Sequence, residues 1–220
     1  LGILALSCCW LAFAQPARLA PLAQSAMSGF RWSARTVKPL AVAFLQLSTL
    51  GAFWAYLEPL GKAAGFDARG AQTLIAAVLA TQVVAGSVAT FAVRRLPVVS
   101  TLAACSLALA AATATVYGLP GGSTRNFALA CLAFGFVWLF MLPFQIGLAF
   151  RADPSGRLAS LVPAAQLLGS AFGPLMASFI VEGENASAVP LLSAAFALAA
   201  AVMVLGARSP RGPQGARALS

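Results

Sequence analysis

Residues 39–61 read PLAVAFLQLSTLGAFWAYLEPLG, an apolar stretch that begins directly after Lys38. Its central part, 41–57, contains no charged residue, and as a helix rising about 1.5 Å per residue it comes close to crossing a bilayer core of roughly 30 Å. The stretch is not uniformly apolar, because polar and aromatic residues recur at spacings of three and four and therefore share one helical face. These residues are Gln46, Thr49, Phe53 and Tyr56. The stripe predicts a membrane helix that lines a polar cavity.

The composition of the whole chain indicates an integral membrane protein. Of its 220 residues, 60% are hydrophobic and 9% are charged, and the mean hydropathy is +0.89. A soluble domain carries roughly 25% charged residues. Histidine is absent, which excludes His-based acid–base catalysis and most metal sites. We expect no enzyme activity and no cofactor, since no predicted span holds His or Asp.

Seven apolar runs follow one another along the chain, and six of them are about twenty residues long. Runs of this length, rich in Ala and Leu, fit helices better than the ten-residue alternating strands of a membrane barrel. We therefore predict an all-α polytopic bundle. The predicted segments are 1–14 (a truncated transmembrane helix), 40–60, 71–93, 98–117, 127–150, 158–181 and 188–206.

These segments divide the chain into four parts. A six-helix transmembrane domain spans 40–206, after the truncated helix 1–14 and a cytoplasmic central loop at 15–39. The basic tail, 207–220, is expected to be cytoplasmic and disordered. Because the first run is short and the chain does not begin with Met, we expect a fragment that starts within a helix.

The basic residues alternate between the two sides of the predicted bundle. Only Lys62, Arg69 and Arg125 fall on one side, and the positive-inside rule therefore places the other side in the cytoplasm. The net charge of +9 is a topology signal, and binding to nucleic acid is not expected because the charges are dispersed over several loops. With the Ala- and Arg-rich composition, this predicts a bacterial inner-membrane protein with a cytoplasmic C-terminus. The residues on the cytoplasmic side are Arg18, Arg31, Arg35, Lys38, Arg94, Arg95, Arg151, Arg157, Arg208, Arg211 and Arg217.

The six complete segments repeat a pattern in two sets of three. In each set the first two segments carry glutamine, and the third carries only Ser or Thr as polar residues. Three helices make an odd number of crossings, so the second set is inverted relative to the first, as in transporters with a cavity between repeats. We expect the plain third helices, 98–117 and 188–206, to lie outside against lipid. The alternative is that the glutamines only join helices to one another.

Three motifs resemble the C-terminal half of a major facilitator superfamily transporter. WAYLEPLG at 54–61 resembles the outer end of helix seven in efflux-type members related to sugar and drug exporters. GSAFGP at 169–174 resembles the G-x-x-x-G-P antiporter motif, which the family carries in helix five. The turn at Arg94 and Arg95 lies where the family has its second G-x-x-x-D-R-x-G-R loop, without the Asp and the following Gly. The resemblance covers nearly the whole chain, from the end of helix six to helix twelve.

The resemblance implies a major-facilitator-type six-helix domain of 3+3 inverted repeats, with the missing N-terminal six-helix half as its partner. Such a protein is a secondary active transporter whose halves rock around a central cavity, and the G-x-x-x-G-P likeness favours proton-coupled efflux driven by the transmembrane proton gradient. Amides and aromatics without a full charge inside any span indicate a small neutral or amphipathic solute. We expect the cavity to be lined by Gln46, Thr49, Tyr56, Gln82, Trp138, Gln145 and Gln166.

Several further residues have two interpretations. Glu58 is a candidate coupling residue because desolvation raises the pKa of an acid, or alternatively a solvated acid at a helix end. Trp138 lines the cavity or packs in the core. Gly169, Gly173 and Pro174 form a gate or a tightly packed helix contact with a kink.

Asp153 and Arg157 lie in a predicted turn, where they could pair and tie a cytoplasmic gate. Three alternatives to the efflux transporter stay open at this point: an uptake symporter of the same fold, a non-transporting membrane scaffold half, and a seven-helix receptor. The receptor is disfavoured because a retinal-type protein needs a lysine within its last helix, whereas Lys38 and Lys62 lie in or beside loops.

Overall fold

The computed structural model describes residues 32–119, 121–183 and 185–206. The predicted helix at 1–14, most of the central loop at 15–39 and the tail at 207–220 lie outside the described residues. The described part is helical without a β-strand, apart from an isolated bridge between Glu182 and Asn185, which confirms the all-α prediction. Its helices are α1 (Ala34–Ala55), α2 (Leu57–Ala63), α3 (Ala68–Ala92), α4 (Val98–Tyr117), α5 (Thr124–Ala152), α6 (Arg157–Ser178) and α7 (Val189–Leu205).

Five of these helices are long and apolar enough to cross a membrane, namely α1, α3, α4, α5 and α6. They indicate a multi-pass membrane protein, as the composition predicts. The sixth predicted span forms α7, which has 17 residues and a length of about 26 Å, slightly less than a typical hydrocarbon core.

The first predicted span differs from the structure at both ends. Helix α1 begins at Ala34 rather than Leu40, because Ser33 and Thr36 form a reciprocal capping box that starts the helix among charged residues. The helix ends before Tyr56, where the backbone leaves helical geometry, and α2 begins at Leu57. Pro59 explains the break, since in a continuous helix its ring would collide with the carbonyl group of Ala55.

Helix α1 is the most buried span. In its apolar centre 56% of residues are buried, against 28% in α3 and in α6. It packs against α5, α6 and α7, while α5 also packs against α3 and α4, and α4 packs against α7. At one end of the bundle, Lys38 Nζ of α1 donates to the Gly206 carbonyl oxygen at the C-terminus of α7, at 3.0 Å.

The plain helices do not form a separate outer layer. In α4, 39% of the apolar centre is buried, more than in the glutamine-bearing α3 and α6. Helix α7 buries Val189, Ala197, Ala200 and Val204 completely, since its alanines allow neighbouring helices to approach closely. Within this bundle, a lack of glutamine therefore does not go with greater exposure, contrary to the expectation from the sequence.

Candidate functional site

Glycines set the spacing between α1 and α6, and so position the polar residues between them. A Cβ atom on Gly169 would collide with the Phe44 carbonyl oxygen, and one on Gly173 would collide with the Ser48 carbonyl oxygen. From the α1 side, a Cβ atom on Gly51 would lie 2.5 Å from the Ser170 carbonyl oxygen and 3.0 Å from Pro174 Cδ. The two backbones are therefore in direct contact, as small residues permit in membrane bundles.

Beside this contact, three predicted cavity glutamines hydrogen-bond one another in a continuous relay. Gln166 Nε2 of α6 donates to Gln145 Oε1 of α5 at 2.5 Å, and Gln145 Nε2 donates to Gln46 Oε1 of α1 at 2.7 Å. Gln46 Nε2 then donates to Ser106 Oγ of α4 at 2.8 Å, and Ser106 Oγ donates to the Leu102 carbonyl oxygen at 3.0 Å. The relay joins four helices, and we refer to Gln166, Gln145, Gln46 and Ser106 as the amide relay.

The amide relay is closed to solvent over most of its length. Gln46 and Ser106 are 0% exposed and Gln145 is 1% exposed, whereas Gln166 is partly exposed. The buried glutamines therefore satisfy each other's polar atoms instead of facing open water. A solute could reach this network only at its Gln166 end.

Ser106 was not among the predicted site residues. It lies in α4, which sequence analysis treated as plain because its polar residues are only Ser and Thr. Its position near the middle of the helix, between Thr101 and Thr113, was the available signal, since a polar group at membrane depth needs a partner.

Gln82, the fourth predicted glutamine, lies outside the relay. Its side chain is 9% exposed, and its Nε2 atom is buried without a hydrogen-bond partner among the described residues. Helix α3 approaches α5 closely one turn earlier, where a Cβ atom on Gly135 would lie 2.5 Å from Val78 Cγ1. Gln82 is thus held inside the bundle with a donor unused.

Thr49 and Tyr56 have surroundings that differ from those of the relay. Thr49 is fully buried, and its hydroxyl donates to the Leu45 carbonyl oxygen of its own helix at 3.1 Å. Tyr56 lies at the break between α1 and α2 and lines a cavity of about 400 Å³ with Pro59, Lys62 and Val181. The structure therefore does not bring the predicted cavity residues of α1 to one common surface.

Trp138 belongs to an aromatic cluster between α1 and α5. Its ring meets Trp54 edge-on at a centroid distance of 5.5 Å and Phe134 at 6.5 Å, and Phe134 in turn contacts Phe53 at 4.5 Å. Pairs in this geometry contribute about 0.5–1.5 kcal/mol beyond burial of area. The geometry favours the packing role for Trp138.

Glu58 lies on the exposed surface of α2. Its carboxylate pairs with Lys62 Nζ at 2.8 Å, and about 60% of each side chain is exposed. The hydrogen bond from Lys62 and its positive charge hold the pKa of Glu58 below the usual value. This is the behaviour of a solvated acid at a helix end, the alternative that the sequence left open, and not of a desolvated proton carrier.

Asp153 organises the turn between α5 and α6. Its carboxylate accepts from Ser155 Oγ at 2.6 Å, from the Ser155 amide and from the Leu158 amide in the first turn of α6. The Ser155 hydroxyl is the main cause that lowers the pKa of Asp153, with smaller contributions from the backbone amides and the charge of Arg157. Asp153 thus satisfies one free amide in the first turn of α6 from three residues before its N-cap, Gly156.

No group of three or more Cys, Asp or Glu side chains lies together among the described residues. Comparisons with protein-family models, curated proteins and solved structures find no match for this chain.

Proposed function

We propose that this chain forms one half of a secondary active transporter of the major facilitator type, which moves a small neutral or amphipathic solute, with proton-coupled efflux as the preferred mode. Its partner is a second six-helix half, and its membrane is the bacterial inner membrane with the C-terminus in the cytoplasm. The proposal combines the sequence resemblance with features of the helix packing.

The observation that carries the proposal is the symmetry of the packing pairs. Exchanging α1 with α5, α3 with α6 and α4 with α7 converts the α1–α6 pair into α5–α3 and the α1–α7 pair into α5–α4. The α4–α7 and α1–α5 pairs convert into themselves. The lesser pairs α5–α6, α1–α4 and α6–α7 have no counterpart under this exchange among the described helices, but the main pairs are what two related three-helix units would produce, and they support the 3+3 arrangement.

Two further observations are consistent with a transporter half. Gln46 and Gln145 come from the first helix of each set and hydrogen-bond directly between the sets. Helices α3 and α6, which correspond to each other in the exchange, leave broad faces uncovered, and such faces are available to a second half. Acidic residues lie outside the long spans in the described part, so proton coupling would depend on acids of the other half.

A reconstitution experiment tests the proposal. The full-length protein is placed in liposomes with an imposed pH gradient, with glucose as the neutral probe and rhodamine 6G as the amphipathic probe. We expect gradient-driven movement of one probe, collapse of that movement by an uncoupler, and a direction that distinguishes efflux from uptake. Movement that is equal in empty liposomes would contradict the proposal.

A non-transporting scaffold half is the second candidate. It is favoured by one observation, the almost complete burial of Gln46 and Gln145, because amides that satisfy each other hold helices together without a solute. This candidate predicts that no solute moves in the same liposomes. It also predicts a stable complex, either between two copies of the chain or between the chain and another membrane protein.

A further inference from the structure

The amide relay has a direction. Every donor in it points from α6 towards α4, and the last acceptor is the Leu102 carbonyl oxygen, which cannot donate. Ser106 Oγ donates to this carbonyl group and accepts from Gln46 Nε2. In both Gln46 and Gln145, the amide nitrogen donates on the α4 side and the amide oxygen accepts on the α6 side. At the other end, Gln166 Oε1 and the second N–H group of Gln166 Nε2 are left over.

Gln166 Oε1 is an acceptor at the exposed end of the relay. Nothing among the described residues donates to it, and the side chain is partly exposed, whereas the rest of the relay is sealed. Gln166 lies near the middle of the 22-residue α6, at a depth where lipid tails offer no hydrogen-bond donor. An amide oxygen at this depth is unfavourable unless a donor reaches it.

We propose that Gln166 Oε1 recognises an O–H or N–H group of the solute, and that the bond from Gln166 Nε2 to Gln145 holds this oxygen at the exposed end of the relay. A free glutamine can rotate its amide to present either a donor or an acceptor, and would therefore accept solutes of both kinds. Gln166 cannot rotate without breaking its bond to Gln145. A solute that carries a donor can use this oxygen, whereas a matched solute that only accepts is limited to the second N–H group of Gln166, so the site favours the solute with the donor.

The role of this selectivity in choosing a transported solute rests on the proposed function, but recognition itself does not require transport. Binding can therefore be measured at equilibrium with the full chain in phosphatidylcholine nanodiscs. The probes are N-hexylacetamide, which has one N–H group, and N-hexyl-N-methylacetamide, which has the same chain and no donor. The readout is the side-chain carbonyl ¹³C shift of isotope-labelled Gln166 together with the dissociation constant.

We expect N-hexylacetamide to bind about three- to tenfold more tightly than its methylated partner, the range of one neutral hydrogen bond. Gln166→Leu should bring this ratio to about one. The carbonyl ¹³C shift of Gln166 in the wild-type protein should move more with N-hexylacetamide than with its methylated partner, which covers the case in which the leucine variant does not fold. Gln72→Leu, at an exposed glutamine of α3, is the matched control and should leave the ratio unchanged.

The Ser106→Ala variant distinguishes a relay that controls solute recognition at Gln166 from a relay that only holds the helices together. This substitution removes the hydroxyl that fixes the direction of the relay, so the ratio should fall although Ser106 is buried two glutamines away from Gln166. A relay that only holds helices together would lower the melting temperature of this variant and leave the ratio at the wild-type value, which would overturn the inference. Equal or tighter binding of the methylated probe to the wild-type protein would also overturn it.

The two proposals can fail separately. Donor preference without solute movement in liposomes would contradict the transporter and leave the recognition site standing. Solute movement together with a ratio of one would contradict the recognition site alone.

Discussion

Gln46 and Gln82 are the same residue type, lie in predicted spans and were assigned the same role, yet their surroundings differ. Gln46 donates to Ser106 and accepts from Gln145, so both polar ends of its amide have partners in this chain. Gln82 is buried to nearly the same extent with its Nε2 atom unpaired among the described residues. The glutamines around α1 are paired within this chain, although Ser193 Oγ of α7 is buried without a partner among the described residues, whereas the glutamine of α3 keeps an unpaired donor.

The packing around α1 depends first on the contact of Gly169 and Gly173 with the α1 backbone. Breaking this contact should cause the largest loss of stability. Gly173→Leu would force a side chain into the Ser48 backbone, so we expect a loss of about 3 kcal/mol or more in the free energy of unfolding, or no folded protein. Folded yield and thermal unfolding in detergent micelles measure the effect. Ala171→Leu, at an exposed position of the same helix, is the control, and equal loss in both variants would contradict the prediction.

The next largest effect should come from the middle of the relay. Gln145→Leu leaves Gln46 Oε1 and Gln166 Nε2 without partners, and we expect a loss of about 2 kcal/mol in the free energy of unfolding. Denaturation in mixed micelles measures it, with Gln72→Leu as the matched glutamine-to-leucine control. A loss no greater than that of the control would show that the relay contributes little to stability.

Gln82 should respond in the opposite direction. Gln82→Leu removes a buried donor that has no partner in the described chain, so we expect the isolated chain to be unchanged or stabilised by up to about 1 kcal/mol. The same micelle denaturation gives the result. If Gln82→Leu is as damaging as Gln145→Leu, the two regions do not differ and the comparison fails.

The smallest effect is expected at Glu58, outside both regions. Because Lys62 lowers the pKa of Glu58, the ion pair stabilises the folded chain above the ordinary pKa of a glutamate and loses its effect as the pH falls through the lowered value. Glu58→Gln should therefore leave the melting temperature at pH 7 nearly unchanged and should not alter the pH dependence of solute movement. Lys62→Met is the matched control, and a shifted transport profile in Glu58→Gln alone would restore Glu58 as a coupling residue.

The helices could be predicted from the sequence because their limits depend on local residues. The predicted segment 98–117 agrees with α4, where Pro97 precedes the helix and Gly118 follows it. The start of α1 was missed because the capping box of Ser33 and Thr36 lies among charged residues, outside the apolar run. The break at Tyr56 was missed because the run continues through Pro59.

The side-chain pairing was predictable only in part. Periodicity places Gln46 on an inward face, but its bond to Ser106 depends on how deeply four helices sit and how each is rotated, which no single helix encodes. The exposure of a whole helix was not predictable from its polar residues either, since α3 and α6 carry glutamines and still leave broad faces uncovered. Local patterns thus predicted which residues turn inward, and tertiary packing determined what they meet there.

The contact between Lys38 and the Gly206 carbonyl oxygen indicates whether the number of helices that cross the bundle is odd or even. It brings the first turns of α1 and Gly206, the C-cap residue of α7, to the same end of the bundle. A series of helices that starts and finishes at one end of the bundle has traversed it an even number of times. The five long helices alone would give an odd number. The short α7 therefore counts as a further full traverse of the bundle.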